Sequence, residues 1–133
     1  MTSEADSLRP MANSNETLVA EFCGAWATRD VDALLGYFAS DAVYHNIPIE
    51  PAVGLDAIRA VLEMFVPPAD EIEFTIHHIF SSGDLVCTER TDRFVMGDKT
   101  ITLPVAGVFE VRDGKIAAWR DYFDLQTFMT QSA

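Results

Sequence analysis

The residues able to do chemistry stand out by position rather than by type. Side chains alternate across an extended strand, so residues two apart share a face. In the run Leu85 to Met96, that parity puts Val86, Thr88, Arg90, Asp92, Phe94 and Met96 on one face. Leu85, Cys87, Glu89, Thr91 and Arg93 fall on the other. Arg90 and Asp92 therefore sit between apolar neighbours. In the run Lys115 to Asp124, Ala117, Trp119, Asp121 and Phe123 lie together, opposite Ile116, Ala118, Arg120, Tyr122 and Asp124. Ionised side chains are almost never buried without partners, because desolvating them costs several kcal/mol or more. An inward Asp from each strand, with an Arg nearby, makes a charge-paired constellation whose carboxylates can take different protonation states, which is equipment for acid and base work. The same parity fits a structural ion pair or an exposed strand face, and these readings stay open on the residues alone.

Other candidates carry less. Tyr44 and Asn46 share a face and are able to hold a water or a substrate oxygen, although two polar residues entering a Pro-rich loop also read as turn chemistry. His45 points the other way, and His77-His78 lacks the further ligands a metal site wants, so all three read as structural and no metal is expected. Cys23 and Cys87 belong to no C-x-x-C pair and read as two buried thiols. Arg120, Tyr122 and Asp124 read as surface or subunit-contact residues.

The elements that position these residues follow from periodicity. Residues 1 to 13 are polar and aperiodic, so a flexible tail is expected there and one domain over 14–133. Asn13, with Glu16 three residues on, is expected to cap a helix carrying Leu18, Val19, Phe22, Ala25 and Trp26. Asp30 caps a second helix with Leu34, Leu35 and Phe38 that ends near Ser40-Asp41, and Ala42 to Asn46 is extended. After a Pro48/Pro51 loop closed by Gly54, Asp56 caps a third helix with Ile58, Val61, Leu62 and Phe65, stopped by Pro67-Pro68. Strands are then expected over Glu71–Ser81, Leu85–Met96, Thr100–Val111 and Lys115–Asp124, joined by Gly-containing turns, with a short last helix over Leu125–Met129. Helices first and a strand meander afterwards describe an α+β domain whose sheet curls around its helices.

Composition limits what such a domain binds. The 133 residues suit one domain, and 49% of them are hydrophobic, so a compact core is expected. With 21 acidic against 9 basic side chains the formal net charge is −12, which repels nucleic acid and anionic membrane surfaces. Apolar runs are broken well short of a bilayer span, and the first residues lack the basic start and apolar stretch of a secretory signal, so a soluble, cytoplasmic protein is expected.

Three segments together resemble the limonene-1,2-epoxide hydrolase family: Tyr44-His45-Asn46-Ile47-Pro48, Cys87-Thr88-Glu89-Arg90-Thr91-Asp92 and Ala118-Trp119-Arg120-Asp121-Tyr122-Phe123-Asp124. The similarity runs from about Glu16 to Phe128 and includes the Gly107-Val108-Phe109 and Gly114-Lys115-Ile116 landmarks. It implies a cone-shaped fold of the nuclear-transport-factor-2 (NTF2) and SnoaL-like type, in which a strongly curved, mixed but mostly antiparallel sheet and three to four helices enclose a deep pocket. It also implies a homodimer and a reaction without a cofactor. Carried over by the resemblance, Tyr44, Asn46 and Asp121 grip the attacking water, Asp92 protonates the epoxide oxygen, and Arg90 bridges both carboxylates. The pocket lining implied in the same way is Cys23, Trp26, Phe94, Leu103, Val105, Phe123 and Phe128. The chain departs from the family pattern at Pro104, which interrupts a strand and points to an edge or a bulge, and in a short turn at Met96-Gly97-Asp98-Lys99. The expected activity is addition of water to an apolar epoxide, cyclic or terpenoid, to give a vicinal diol without a covalent intermediate. The alternatives are a ketosteroid-isomerase-like proton transfer or a small-ligand binding module on the same cone.

Overall fold

The computed structural model describes residues 14–133; the tail expected over residues 1–13 and the cap expected at Asn13 lie outside the described residues. Helix α1 (Ser14–Ala25) buries Val19, Phe22 and Cys23, and a 3₁₀ turn at Trp26–Thr28 carries Trp26 into the same core. Helix α2 (Val31–Leu35) starts where Asp30 accepts a hydrogen bond from the Ala33 N–H at 3.1 Å, as its sequence implies. It ends earlier than expected. Phe38, at helical spacing from Leu34 and Leu35, is instead the first residue of β1 (Phe38–Asn46), where it pairs with Ile116 and packs against Phe22. Tertiary burial overrides a one-turn helical pattern that Gly36 already weakens.

A two-residue strand, β2 (Ala52–Val53), leads into α3 (Leu55–Phe65), which buries Ile58 and Leu62. Its N-cap is Gly54 at φ 86°, a backbone conformation that favours glycine, so Asp56 lies inside the first turn rather than at the cap. There its charge still faces the positive end of the helix dipole. Strands β3 (Glu71–Ser82), β4 (Leu85–Met96), β5 (Lys99–Arg112) and β6 (Lys115–Tyr122) follow within one or two residues of the expected bounds, and α4 (Leu125–Ser132) closes the chain. Asp124 caps α4 through the Thr127 N–H.

Among the described residues, six strands form one sheet in the order β2-β1-β6-β5-β4-β3, antiparallel except for the parallel β1–β6 pair. Helix α1 packs on β3 and β4, α3 on β1 and β2, and α4 on β5, so helices lie along the sheet from one edge to the other. This is the expected mixed, mostly antiparallel α+β arrangement. At its centre the Trp119 ring stacks on Tyr44 at 4.2 Å and on Phe109 at 5.3 Å, while Phe22 meets it edge-on at 5.0 Å.

Two local expectations are decided by register. Ile116 is fully buried and Ala117 only half-buried, the reverse of the strict alternation read for β6, because a register shift between Glu110 and Val111 moves the start of β6 by one step. Pro104 sits opposite Thr91 without a bulge, beyond the last β5–β6 pair at Ala106 and Tyr122, so β5 is an edge there. The N–H of Thr102, two residues earlier and so on the same side, points away from β4 to the Gln131 side chain, and Pro104 thus costs the β4–β5 ladder no donor.

Phe109 is fully buried between Trp119 and Phe22, so Phe109→Ala is expected to lower the unfolding free energy by about 3–5 kcal/mol. Urea denaturation checks this, and a loss under 1 kcal/mol (~0.8 is one buried methylene) would mean that this stack does not hold the sheet to α1.

Candidate active site

The parallel β1–β6 pairing sets Tyr44 beside Trp119 and Asn46 beside Asp121, and the Ile47 N–H donates to the Asp121 carbonyl at 2.9 Å. In the antiparallel part of the sheet, Asp92 pairs with Phe74 and Leu103, and Arg90 pairs with Val105. Side chains from three strands therefore converge on the covered face. Arg90, Asp92 and Asp121 are 1%, 4% and 4% exposed, so the inward parity read for both strands holds at these three residues.

Arg90 bridges the carboxylates. Its Nε donates to Asp92 Oδ1 at 2.9 Å, and Nη2 donates to Asp92 Oδ2 and Asp121 Oδ2, each at 2.8 Å. Nη1 donates to Asp121 Oδ1 at 3.2 Å, and Trp119 Nε1 donates to that same oxygen at 2.6 Å. The guanidinium also lies over the rings of Phe74 at 5.1 Å and Trp119 at 5.8 Å, which lowers the cost of burying its charge. Beside Asp121, the Tyr44 hydroxyl donates to Asn46 Oδ1 at 3.3 Å.

Burial pushes the Asp92 carboxyl up to about 6; Arg90 pulls it down and the charge of Asp121 pushes it further up. A cation between two buried carboxylates is balanced by one proton, and Asp92 is the group whose environment favours holding it. Burial also raises Tyr44 well above its ordinary range and pushes the Cys23 thiol up to about 12, so both are neutral donors near neutral pH.

Tyr44, Asn46, Asp92 and Asp121 border a cavity of about 220 Å³, whose remaining wall is apolar. Of the lining residues expected from the resemblance, Trp26, Phe94, Leu103, Val105, Phe123 and Phe128 face it. Cys23 does not. It is 1% exposed and is enclosed in the core behind the wall, because Trp26, one turn on, is the larger group and stacks on Phe74 at 4.6 Å. The sequence reading missed Ile49, Met64, Phe65, Phe74 and Leu125 on the wall. Phe74 was recoverable from the Ile72, Phe74, Ile76 alternation, whereas Met64 is 67% exposed and carries no signal of a wall residue. Trp119, flanking Asp121 by parity, also proves to be its hydrogen-bond donor. His45, His77 and His78 lie away from the cavity, and among the described residues no group of three or more His, Cys, Asp or Glu side chains is placed to share a metal ion.

A half-open sheet with helices over one face and a polar-floored cavity beneath them defines the NTF2/SnoaL-like class. A SnoaL-like protein from Shewanella putrefaciens, 18% identical, matches 90% of this chain and 96% of its own with a TM-score of 0.78, which is a likeness of fold. More specific likenesses point one way. The family model described as the limonene-1,2-epoxide hydrolase catalytic domain matches residues 13–133. Epoxide hydrolase EphG of Mycobacterium tuberculosis is 38% identical over 112 residues, 80% of this chain and 71% of that one. The solved structure of an LEH-like epoxide hydrolase from M. tuberculosis, 33% identical, superposes with a TM-score of 0.76 over 86% of each chain. The chain belongs to the limonene-1,2-epoxide hydrolase family, and it is an epoxide hydrolase of that type.

The raised Asp92 carboxyl has a consequence for stability. A carboxyl whose folded pKa lies above its unfolded value holds more protons folded than unfolded across that window, so its contribution to stability falls as pH rises from 3.8 to about 6. Relative to Asp92→Asn, the wild type is therefore expected to lose stability across that window and to stay level above it. Chemical denaturation at several pH values reads this directly, and a difference that does not change with pH would assign the proton elsewhere.

Proposed function

We propose that the protein opens a small apolar epoxide with water in one acid/base step, giving a vicinal diol. The observation that carries the reading is the pair of buried carboxylates bridged by one Arg90 at the polar end of an apolar cavity, with Asn46 paired to Asp121 across the sheet and Tyr44 bonded to Asn46. Asp121 takes a proton from a water held by Tyr44 and Asn46. The water oxygen bonds to one ring carbon from the side opposite the breaking C–O bond, and Asp92 gives its proton to the departing oxygen. At the end Asp121 holds a proton and Asp92 lacks one. One proton has entered the cluster and one has left it, so its charge is unchanged, and Arg90 stays bonded to both carboxyls while the proton on Asp121 is exchanged through solvent for one on Asp92. Acid and base assistance of roughly 10²- to 10⁴-fold each is what a neutral epoxide and neutral water need.

The cavity walls support an apolar substrate, with Ile49 and Met64, 48% and 67% exposed, at the rim and the charged groups at the far end. No metal or organic cofactor enters this scheme, and activity is expected to survive exhaustive chelation. Phe80, Leu85 and Tyr122, 61%, 43% and 46% exposed, lie with Val108 on the outer face of the sheet and support pairing with a second copy of the chain through that face. No helix among the described residues is long and apolar enough to cross a membrane.

Asp92→Asn, Asp121→Asn and Arg90→Gln are each expected to lower turnover of cyclohexene oxide by about 10²-fold or more with the fold intact, and double variants to lose little beyond the singles. The acid requires Asp92 protonated, so kcat/KM is expected to fall as pH rises through about 6. A single turnover by excess enzyme in ¹⁸O water is expected to place the label in the diol and none in Asp92 or Asp121. Label in either aspartate would establish a covalent ester and remove Asp121 from the role of base. Formation of an enone from a β,γ-unsaturated ketone, with no diol from any epoxide, would favour proton transfer beside a carbonyl instead.

A further inference from the structure

Arg90 is rooted on β4 and Asp121 on β6, two strands away, or about 10 Å at the ordinary spacing between strands. Strand β5 runs between them. The β5 residue in the row that joins Thr88 on β4 to Asp121 on β6 is Gly107, which pairs with both. A Cβ at Gly107 would lie 2.4 Å from Arg90 Nη1, 2.7 Å from Asp121 Oδ1 and 3.0 Å from Thr88 Oγ1. The first two are closer than real Cβ contacts come, so any side chain there would displace the Arg90–Asp121 contact. Gly107 lies in ordinary extended backbone within β5, so what this position requires is space, not a special conformation. Thr88 supplies the other constraint. Its hydroxyl accepts the remaining N–H of Arg90 Nη1 at 3.0 Å, which engages all five guanidinium donors, and Thr88 is only 2% exposed.

We propose that Gly107 and Thr88 are positioning residues of this enzyme, the glycine leaving the slot through which the guanidinium crosses to β6 and the threonine hydroxyl fixing its plane there. The inference rests on the reading of Asp92 and Asp121 as acid and base, and it says what keeps them unequal. With Nη1 held between Thr88 and Asp121, Asp121 receives three N–H donors and Asp92 two. Donors of this kind stabilise the carboxylate over the acid, so the extra donor biases the shared proton toward Asp92. The titratable groups that face Arg90 are Asp92 on its own strand, Asp121 on β6, Tyr44 on β1 and Cys23 on α1. The last two are neutral, so the proton is distributed between the two aspartates alone.

The test uses Thr88→Val, which keeps the shape and removes the acceptor, Thr88→Ser, which restores it, and Gly107→Ala. Two readouts are taken: kcat and KM for cyclohexene oxide, and the titration of the Asp92 and Asp121 carboxyl carbons by ¹³C NMR. Thr88→Val is expected to lower kcat about tenfold with KM nearly unchanged, as a buried unpaired donor would, and Gly107→Ala to lower it further. In both, the two carboxyl titrations move toward each other, while Thr88→Ser stays close to wild type in every readout. Unchanged titration and kcat in Thr88→Val overturn the proposal, as does an equal loss of rate in Thr88→Ser and Thr88→Val with the titrations unmoved. If Gly107→Ala fails to fold, Thr88→Val against Thr88→Ser decides by the same criteria. If the wild type turns over no epoxide but the titrations converge as expected, the positioning stands and the reading of the reaction fails.

Discussion

Everything in the site depends on one buried cation. Arg90 has no exposed side-chain surface, and removing a guanidinium from water costs several kcal/mol that only a full set of well-aimed acceptors offsets. Two carboxylates supply four of the five hydrogen bonds and a threonine the fifth. A cation and two anions carry one surplus negative charge in a place with little water. One added proton removes the surplus. A proton shared by the pair thus follows from electrostatics before any reaction is considered.

The fold meets that requirement through the parallel pairing of β1 with β6. Without β1 beside β6, Asp121 would stand on an edge strand open to water, and Tyr44 and Asn46 would not share its face. Trp119 links the two demands. Its ring is the hub of the aromatic core, stacked on Tyr44 and Phe109, and its indole N–H ends on Asp121. A core residue that also donates to a buried carboxylate oxygen ties the position of that oxygen to the packing of the sheet, so small shifts in the core translate into the site.

The face of β4 is legible in the sequence because its pairing with β5 runs without interruption from Leu85 to Met96, and parity survives only where register does. At the start of β6 register breaks, and the alternation read for Ile116 and Ala117 is reversed while that of Trp119 and Asp121 holds. The end of α2 is illegible for another reason. Leu34, Leu35 and Phe38 satisfy a helical spacing, and only the distant Ile116 and Phe22 show that Phe38 belongs to a strand. The wall of the cavity is the least legible part. Whether Cys23 or Trp26 faces the cavity depends on how α1 is rotated against β3, which follows from the sum of many contacts. Gly107 marks the limit in the other direction: its role is the absence of a side chain beside three polar groups, visible only once they have coordinates.

The lone pairs of the two carboxylates distinguish the partners more sharply than their burial does. A carboxylate offers about four acceptor directions, two on each oxygen. On Asp121, Oδ1 already takes Arg90 Nη1 and Trp119 Nε1, and Oδ2 takes Arg90 Nη2, which leaves one direction free. On Asp92 each oxygen takes one Arg90 donor, which leaves one free direction on each. One free direction on a carboxylate beside Tyr44 and Asn46 suits acceptance of one proton from one water. A protonated Asp92 can keep a bond from Arg90 on each oxygen and still aim its O–H into the cavity. Two chemically identical side chains are thus made unequal by how many of their lone pairs the surrounding strands have already taken.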